Sequence, residues 1–415
     1  MGTVLILGAG TAGTMLANHL VKTLPNGWDV SVVDQDDAHH YQPGYLFVPV
    51  GMMPTERVSR PRRAQLADGV TYTEAAVRRI DPATRSVTVK GGEELGYDYL
   101  VIATGSHPDP ALTAGLTDER IWRRSAHEFY TLEGATALKG AIDAFEGGKI
   151  LVHVAEMPIK CPVAPLEMAF LVEDHFRKRR IRHRVDITYV TPLDGAFTKP
   201  VASKALGGLL DDRSIRLAAD FAVERVDPAT QQLIAYDGRE LDFDLLITVP
   251  VHTGAKPVAD SGLADAMGFV TVDKHTLRST IDSNVFAIGD ATDVPTSKAG
   301  AVAHFQVEHL VANLLAVIDG REPTSHFDGH ANCFVESGRG KALLLDFNYD
   351  TEPLAGKFPV PGIGPMTLLG ESRTNHLGKL AFEHLYWQML LPGRPLPVPN
   401  EMSMAGKRPA EEKGA

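Results

Sequence analysis

The sequence predicts an α/β fold of two Rossmann-like dinucleotide-binding domains, the second inserted in the first, followed by a C-terminal region of different texture. Three observations predict it. Gly8, Gly10 and Gly13 form G-x-G-x-x-G between an apolar strand and a helix. A second strand–turn–helix unit begins with "KILVHVA" (149–155). A late apolar strand, "SNVFAIGDA" (283–291), returns to the pattern of the first unit. The 415 residues suffice for two or three domains.

The elements follow in order. "TVLIL" (3–7) is β-branched and apolar, hence a strand. "GAGTAGTMLANHLVKTL" turns and starts a helix, and "WDVSVVD" (28–34) is the next strand, ending in Asp34. "YDYLVIATGSHPDP" (97–110) is a buried strand closing on Thr104 and Gly105. The second unit runs from "KILVHVA" through a helix, "LEMAFLVEDHFRKRR", to the strand "VDITYV" (185–190), and "FDLLITVPV" (243–251) adds another strand. After "FAIGDA" comes the helix "KAGAVAHFQVEHLVANLLAVI". From about 325 the chain mixes strands such as "KALLLDF" with Pro/Gly turns and one apolar helix. The expected domains are 1–110, 111–255 without a nicotinamide site, a return to the first at 256–322, a membrane-associating region at 323–400, and a polar, mobile tail at 401–415.

The first unit carries a dinucleotide site. Gly8 permits the tight turn, Gly10 lets a pyrophosphate approach the backbone, and Gly13 lets helix and strand pack closely. With Thr11 and Ala12 they place N–H groups and the positive end of the helix dipole at the phosphates. Asp34 stands where a carboxylate accepts ribose hydroxyls. Gly289 and Asp290 bring a second acid to the far end of the cofactor. Lys298, near the start of the following helix, reads equally as a cation for a reduced ring and as a solvated surface lysine.

The second unit departs from the pattern. "EMPIKCPVAPLE" (156–167) stands where a glycine loop belongs, yet has no glycine, three prolines and one of the two cysteines. Prolines offer no N–H to a pyrophosphate, and "ITYVTP" ends without a carboxylate. The second fold is therefore expected to bind no nicotinamide nucleotide, and its loop to present Cys161 for redox chemistry. Lys160 and the helix start near Pro165 are expected to lower the pKa of that thiol. On spacing alone each cysteine is as readily a buried, inert thiol.

Bulk properties exclude some classes. A formal charge of −11 argues against nucleic acid as a main partner. No run of eighteen apolar residues predicts a membrane-spanning helix, and the N-terminus enters a strand directly, without a secretory pattern. Two cysteines make neither a disulfide scaffold nor a four-ligand zinc site, and the sixteen histidines show no metal-ligand spacing, so no metal is expected.

"GAGTAG", "ATG" at 103–105 and "FAIGDA" resemble the two-dinucleotide-fold flavoproteins. Within them "HHYQPGYLFVPVG" (39–51), "IKCPVAPLE", "NCFVESGRGKALLLDF" and "HLGKLAFEHLYWQMLLPGR" resemble sulfide:quinone oxidoreductases, over essentially the whole chain. The resemblance implies FAD, sulfide and quinone as small-molecule substrates, and a cycle on Cys161 and Cys333. In that cycle hydrosulfide opens a bridge between the cysteines, a thiolate adds to the flavin, and polysulfur leaves. Which cysteine takes sulfide and which meets the flavin stays open. Glu167 and Lys379 match family residues near this site. Related flavocytochromes attach flavin near position 42; here that stretch is "YQPGY", so Gln42 is expected beside a non-covalent FAD.

Phe334, Phe382 and Tyr386 are expected to line the quinone slot. The stretch from Leu380 to Leu391, with Tyr386 and Trp387, is expected to hold the protein on a membrane surface as a monotopic protein, on the cytoplasmic face, with a homo-oligomer compatible. Two rivals remain: a type II NADH:quinone dehydrogenase, and a non-catalytic flavin-binding redox sensor switched by its cysteines.

Overall fold

The computed structural model describes residues 2–394 and 399–408. Its first sheet is five-stranded and parallel, in the order Val285–Ala287, Tyr99–Ile102, Gly2–Leu7, Trp28–Asp34, Val70–Glu74. The Gly2–Leu7 strand is central, and the helix Thr11–Thr23 leaves its C-terminal end. A second five-stranded parallel sheet runs Ala126–His127, Leu245–Val249, Gly148–Val154, Val185–Val190, Arg216–Ala218. All its strands come from between the fourth and fifth strands of the first sheet. The near-continuous burial of Val4 to Leu7 and of Ile150 to Val154 is what parallel strands covered on both faces require.

The C-terminal region adds a mixed sheet, Ala331–Glu336, Ala342–Phe347, Gly364–Leu368 and Gly356–Val360, with the helix Arg373–Leu385 packed on it. Ser372 caps that helix by accepting from Asn375 N at 3.0 Å.

Two expectations need correction, and one helix bears on the expectation that none spans a membrane. The helix Gly300–Ile318 is, by length and composition alone, apolar enough to cross a membrane, although it lacks an unbroken apolar run. It packs against Thr11–Thr23, two-thirds of its apolar window is buried inside the protein, and it serves as a core helix. The tail is not loose throughout. Gly406 O accepts from Lys357 N, and the Lys407 ammonium lies 2.6 Å from the buried Asp346 carboxylate. A buried carboxylate needs a counter-charge, and the tail supplies one; residues 409–415 lie outside the described residues.

The second correction concerns the Leu380–Leu391 anchor. Tyr386, Trp387, Leu390 and Leu391 are buried. The Tyr386 hydroxyl is 2.7 Å from Thr11 Oγ1 and 2.7 Å from His39 Nε2, and its ring packs on Tyr41 with centroids 5.0 Å apart. Arg60 lies over Trp387 at 4.3 Å. These aromatics fasten the C-terminal helix to the first domain. The apolar surface left outside is Leu377, Leu380 and Leu385 on that helix, with Val360 and Ile363 on the adjoining hairpin, the last 78% exposed.

The glycine turn is sterically closed. Gly8 has φ +97°, and a Cβ there would lie 2.5 Å from Ala103 O; a Cβ on Gly13 would lie 1.9 Å from Gly8 O. Gly13→Ala is expected to destabilise the protein by about 1–3 kcal/mol despite the better helix former, because the opposing atom is backbone and cannot yield. A urea midpoint equal to or above wild type contradicts this packing.

Candidate functional site

The dinucleotide cradle is formed at the C-terminal end of the first sheet. A Cβ on Gly10 would meet nothing within 4 Å, so the turn is open on that side. Gly10 also starts the Thr11–Thr23 helix without a side-chain cap, leaving its N–H groups for a ligand. Thr11 faces Tyr386 through its hydroxyl, while Ala12 is buried beside Gly289, whose φ is +70°. Thr104 precedes Gly105 (φ +69°), and its buried hydroxyl has no partner among the described residues. Gly289 N donates to Gln306 Oε1 at 2.8 Å, and Asp290 beside it is largely buried. Burial pushes the Asp290 carboxyl up, against the pull of Lys298 and Lys160. A tight glycine turn open on one side, an uncapped helix start and an orphan hydroxyl fit a dinucleotide.

Other predicted residues fall differently. Asp34 accepts from Ala9 N at 2.7 Å and from Arg62 Nη1 at 2.6 Å, so it shares its charge with an arginine that sequence reasoning did not single out. Gln42 is exposed at the start of a short turn, Gln42–Leu46, and makes no side-chain hydrogen bond among the described residues. Lys298 is not a solvated lysine. It is buried, its ammonium donates to Asp290 O at 3.1 Å and to Thr292 O at 2.5 Å, and it lies over Phe269 at 4.2 Å.

The cysteine loop is held from the same segment. Cys161 N donates to Lys298 O at 2.6 Å and Ala164 N to Cys161 O at 2.9 Å. These N–H groups are consumed by the protein itself, unlike those of the glycine turn. Cys161 takes φ +49°, an unusual backbone for a residue with a Cβ. Tyr130 donates to Cys161 O at 3.2 Å. Six residues on, in the first turn of Ala164–Lys178, Glu167 is completely buried.

Glu167 is where the three parts of the site meet. Its Oε1 accepts from the Lys379 ammonium, on the C-terminal helix, and from Glu336 N at 2.5 Å, on the Cys333 strand. Lys379 also donates to Phe334 O at 3.1 Å, and Phe47 lies 5.8 Å from its ammonium. Burial works against the ammonium, but Glu167, then Cys161, outweigh it and hold its pKa above the ordinary value.

Both cysteines are free thiols, Cys333 only 8% exposed. Burial pushes Cys333 up to about 12; Lys379 pulls it down, Glu167 pushes it up, and the Ser297 hydroxyl pulls it down by hydrogen bonding to the sulfur. Burial raises Cys161 too, as do Glu167 and the Cys333 sulfur, against Lys379 and the Ala164 N–H. The main cation acting on Cys161 is thus Lys379 rather than Lys160, and the expected lowering of its pKa is reversed by burial. Burial lowers the Lys160 pKa, against the pull of Asp290, Glu128 and then Cys161.

Of the three residues expected to line a quinone slot, two stay available. Phe334 is half-buried, and a Cβ on Gly378 would lie 3.0 Å from its ring edge, so the glycine makes room for it. Phe382, one turn beyond Gly378, is also half-buried. Tyr386 is buried and spent on Thr11 and His39, which removes it from that lining. Sequence reasoning also missed Ser297 and the pair Glu336–His376; a buried glutamate three residues after a cysteine carries no motif of its own.

Comparison with known proteins gives the same outline. The family model described as "Pyridine nucleotide-disulphide oxidoreductase" matches residues 2–306. The mitochondrial sulfide:quinone oxidoreductase of Schizosaccharomyces pombe is 28% identical over 373 residues, covering 84% of this chain and 81% of that protein. The mouse mitochondrial sulfide:quinone oxidoreductase is 26% identical over 397 residues, covering 94% and 86%. The crystal structure of the sulfide:quinone oxidoreductase from Aquifex aeolicus superposes with a TM-score of 0.79 at 21% identity, over 95% of this chain and 92% of that one.

The raised thiol pKa values set an expected outcome. Between pH 7 and 10 the reduced protein's alkylation by iodoacetamide rises about tenfold per pH unit without a plateau, because only the thiolate reacts. A plateau near pH 8.5 contradicts the burial argument.

Proposed function

We propose that this chain, which belongs to the pyridine nucleotide-disulphide oxidoreductase family, oxidises sulfide and passes the electrons to a quinone. One observation carries the reading. Two cysteines distant in sequence share a single buried lysine–glutamate pair, at the loop where a nicotinamide domain keeps its glycines. FAD, held non-covalently, supplies a two-electron acceptor for the sulfur and a donor for the quinone.

The chain's residues do the rest. The Gly8–Gly13 turn and the start of Thr11–Thr23 take the pyrophosphate, and Gly289 with Asp290 the far end of the cofactor. Cys161 and Cys333 handle sulfur. When a sulfur bridge joins them, the hydrosulfide sulfur bonds to one cysteine, the bridge bond breaks, and the other leaves as a thiolate beside the Lys379 ammonium. Low dielectric around the site makes that cation worth more than it is in water. Lys379 and Glu167 hold and move protons next to these sulfurs. The half-buried rings of Phe334, packed on Gly378, and of Phe382 are the apolar surface against which a flat quinone ring would lie.

The quinone is lipid-soluble, and the reading places the protein on a bilayer surface by Leu377, Leu380 and Leu385 with Val360 and Ile363. Consumption of the loop N–H groups by Lys298 O and Cys161 O speaks against NADH as the donor.

Cys161→Ser and Cys333→Ser are each expected to keep FAD and lose nearly all sulfide-dependent quinone reduction, as much singly as together, because the two act as one unit. Stopped-flow bleaching of the flavin by sulfide checks this; turnover within about threefold of wild type, roughly 0.65 kcal/mol of barrier, contradicts it.

Replacing Leu377, Leu380 and Leu385 together by Ser is expected to weaken liposome binding on the order of 100-fold, since each leucine contributes about 1 kcal/mol when partly buried in lipid. FAD content and reduction of a water-soluble quinone are expected to persist. Unchanged co-sedimentation with liposomes excludes this face as the docking surface.

A further inference from the structure

The buried polar line does not end at Lys379. Glu336, three residues after Cys333, is 1% exposed, and both its carboxylate oxygens lie 2.9 Å from His376 Nδ1. His376 stands three residues before Lys379 on the C-terminal helix, with 16% of its side chain open to solvent. Glu336 N donates to Glu167 Oε1, whose second oxygen, Oε2, is buried without a partner among the described residues. The sulfur chemistry uses neither Glu336 nor His376.

The reaction has a use for them. Oxidation of hydrosulfide releases one proton and two electrons; reduction of a quinone takes up two of each. The balance, HS⁻ + quinone + H⁺ → sulfur + quinol, requires one proton from outside in each turnover. The thiols beside the site are no net source, since each would have to be reprotonated in turn.

We infer that His376, Glu336 and the Lys379–Glu167 pair form the route by which that proton reaches the site, with His376 at its solvent end. The inference rests on the sulfide and quinone reading. His376 takes a proton from water at its exposed edge and passes it to Glu336 across a direct hydrogen bond. Glu336 and Lys379 interact through charge without a direct hydrogen bond. Lys379 closes the gap: its ammonium has three donors on a flexible four-carbon stem and reaches from one carboxylate to the other. It takes a proton from Glu336 as it gives one to Glu167 Oε1, and rotation of the Glu167 carboxyl group then brings that proton to the side where Oε2 has no partner among the described residues. The groups facing Glu336 are His376 and Lys379 from the C-terminal helix and Glu167 from the cysteine helix. Burial, opposed by His376 and then Lys379, pushes the Glu336 carboxyl up, toward a range where it can carry a proton.

The alternative is a tether, with His376–Glu336 only holding helix to sheet. The full-length, FAD-loaded protein and its His376→Gln and Glu336→Gln variants separate the two. Flavin bleaching by sulfide, steady-state quinone reduction, its solvent deuterium isotope effect and rescue by added imidazole are measured together. We expect flavin bleaching to stay within about threefold of wild type in both variants, while steady-state turnover falls at least about tenfold, as loss of a proton-transfer group does. The isotope effect increases in both, and imidazole restores turnover in His376→Gln but not in Glu336→Gln. Turnover of His376→Gln within about twofold of wild type overturns the proposal. So does a loss that imidazole leaves untouched with an unchanged isotope effect, which is the tether's signature. A wild-type flavin that sulfide does not bleach overturns the sulfide reading itself, and this route with it.

Discussion

The site depends on one buried ion pair. Glu167 comes from the cysteine helix, Lys379 from the C-terminal helix, and the backbone atoms they bind, Glu336 N and Phe334 O, from the strand that carries Cys333. Removing two charges from water costs several kcal/mol each, and their attraction repays that only when further hydrogen bonds satisfy them. Here the backbone of the cysteine strand supplies those bonds. Neither charge is satisfied unless all three segments are in place, so assembly of the pair and assembly of the two-thiol site are the same event.

The pair also decides the electrostatics of sulfur. Burial alone drives both thiols toward the neutral form, and Glu167 adds to that, while Lys379 opposes it. The ground state therefore stores neutral sulfur, whether as thiols or as a bridge. In the proposed sulfur chemistry a released thiolate would find the Lys379 ammonium rather than water. A charge that is costly to hold at rest and compensated when it forms is the arrangement that favours a transition state over a ground state.

The C-terminal segment divides its labour by the faces of one helix and its extension. Lys379 points to the sulfur site, Tyr386 and Trp387 dock on Thr11, His39 and Tyr41, and Leu377, Leu380 and Leu385 stay outside. Tyr386 ties the helix to Thr11 at the glycine turn, so the apolar face and that turn hold a fixed relation.

Much of this was legible in the sequence, because it is local. The strands at 28–34 and 185–190 follow from β-branched, apolar runs, and the dinucleotide turn follows from glycines whose Cβ would strike backbone at Gly8 and Gly13. The cysteine loop showed itself by what it lacked. What tertiary structure alone decided is what depends on neighbours distant in the chain. Amphipathic spacing cannot say which side of a helix meets protein and which meets solvent, so Tyr386 and Trp387 read as a membrane belt and proved to be a clamp. A polar tail reads as mobile until a buried Asp346 needs Lys407. A lysine next in sequence to Cys161 looked like its cation, yet Lys379, 218 residues away, is the main one. Charge acts through space, and only the fold determines which charges are close.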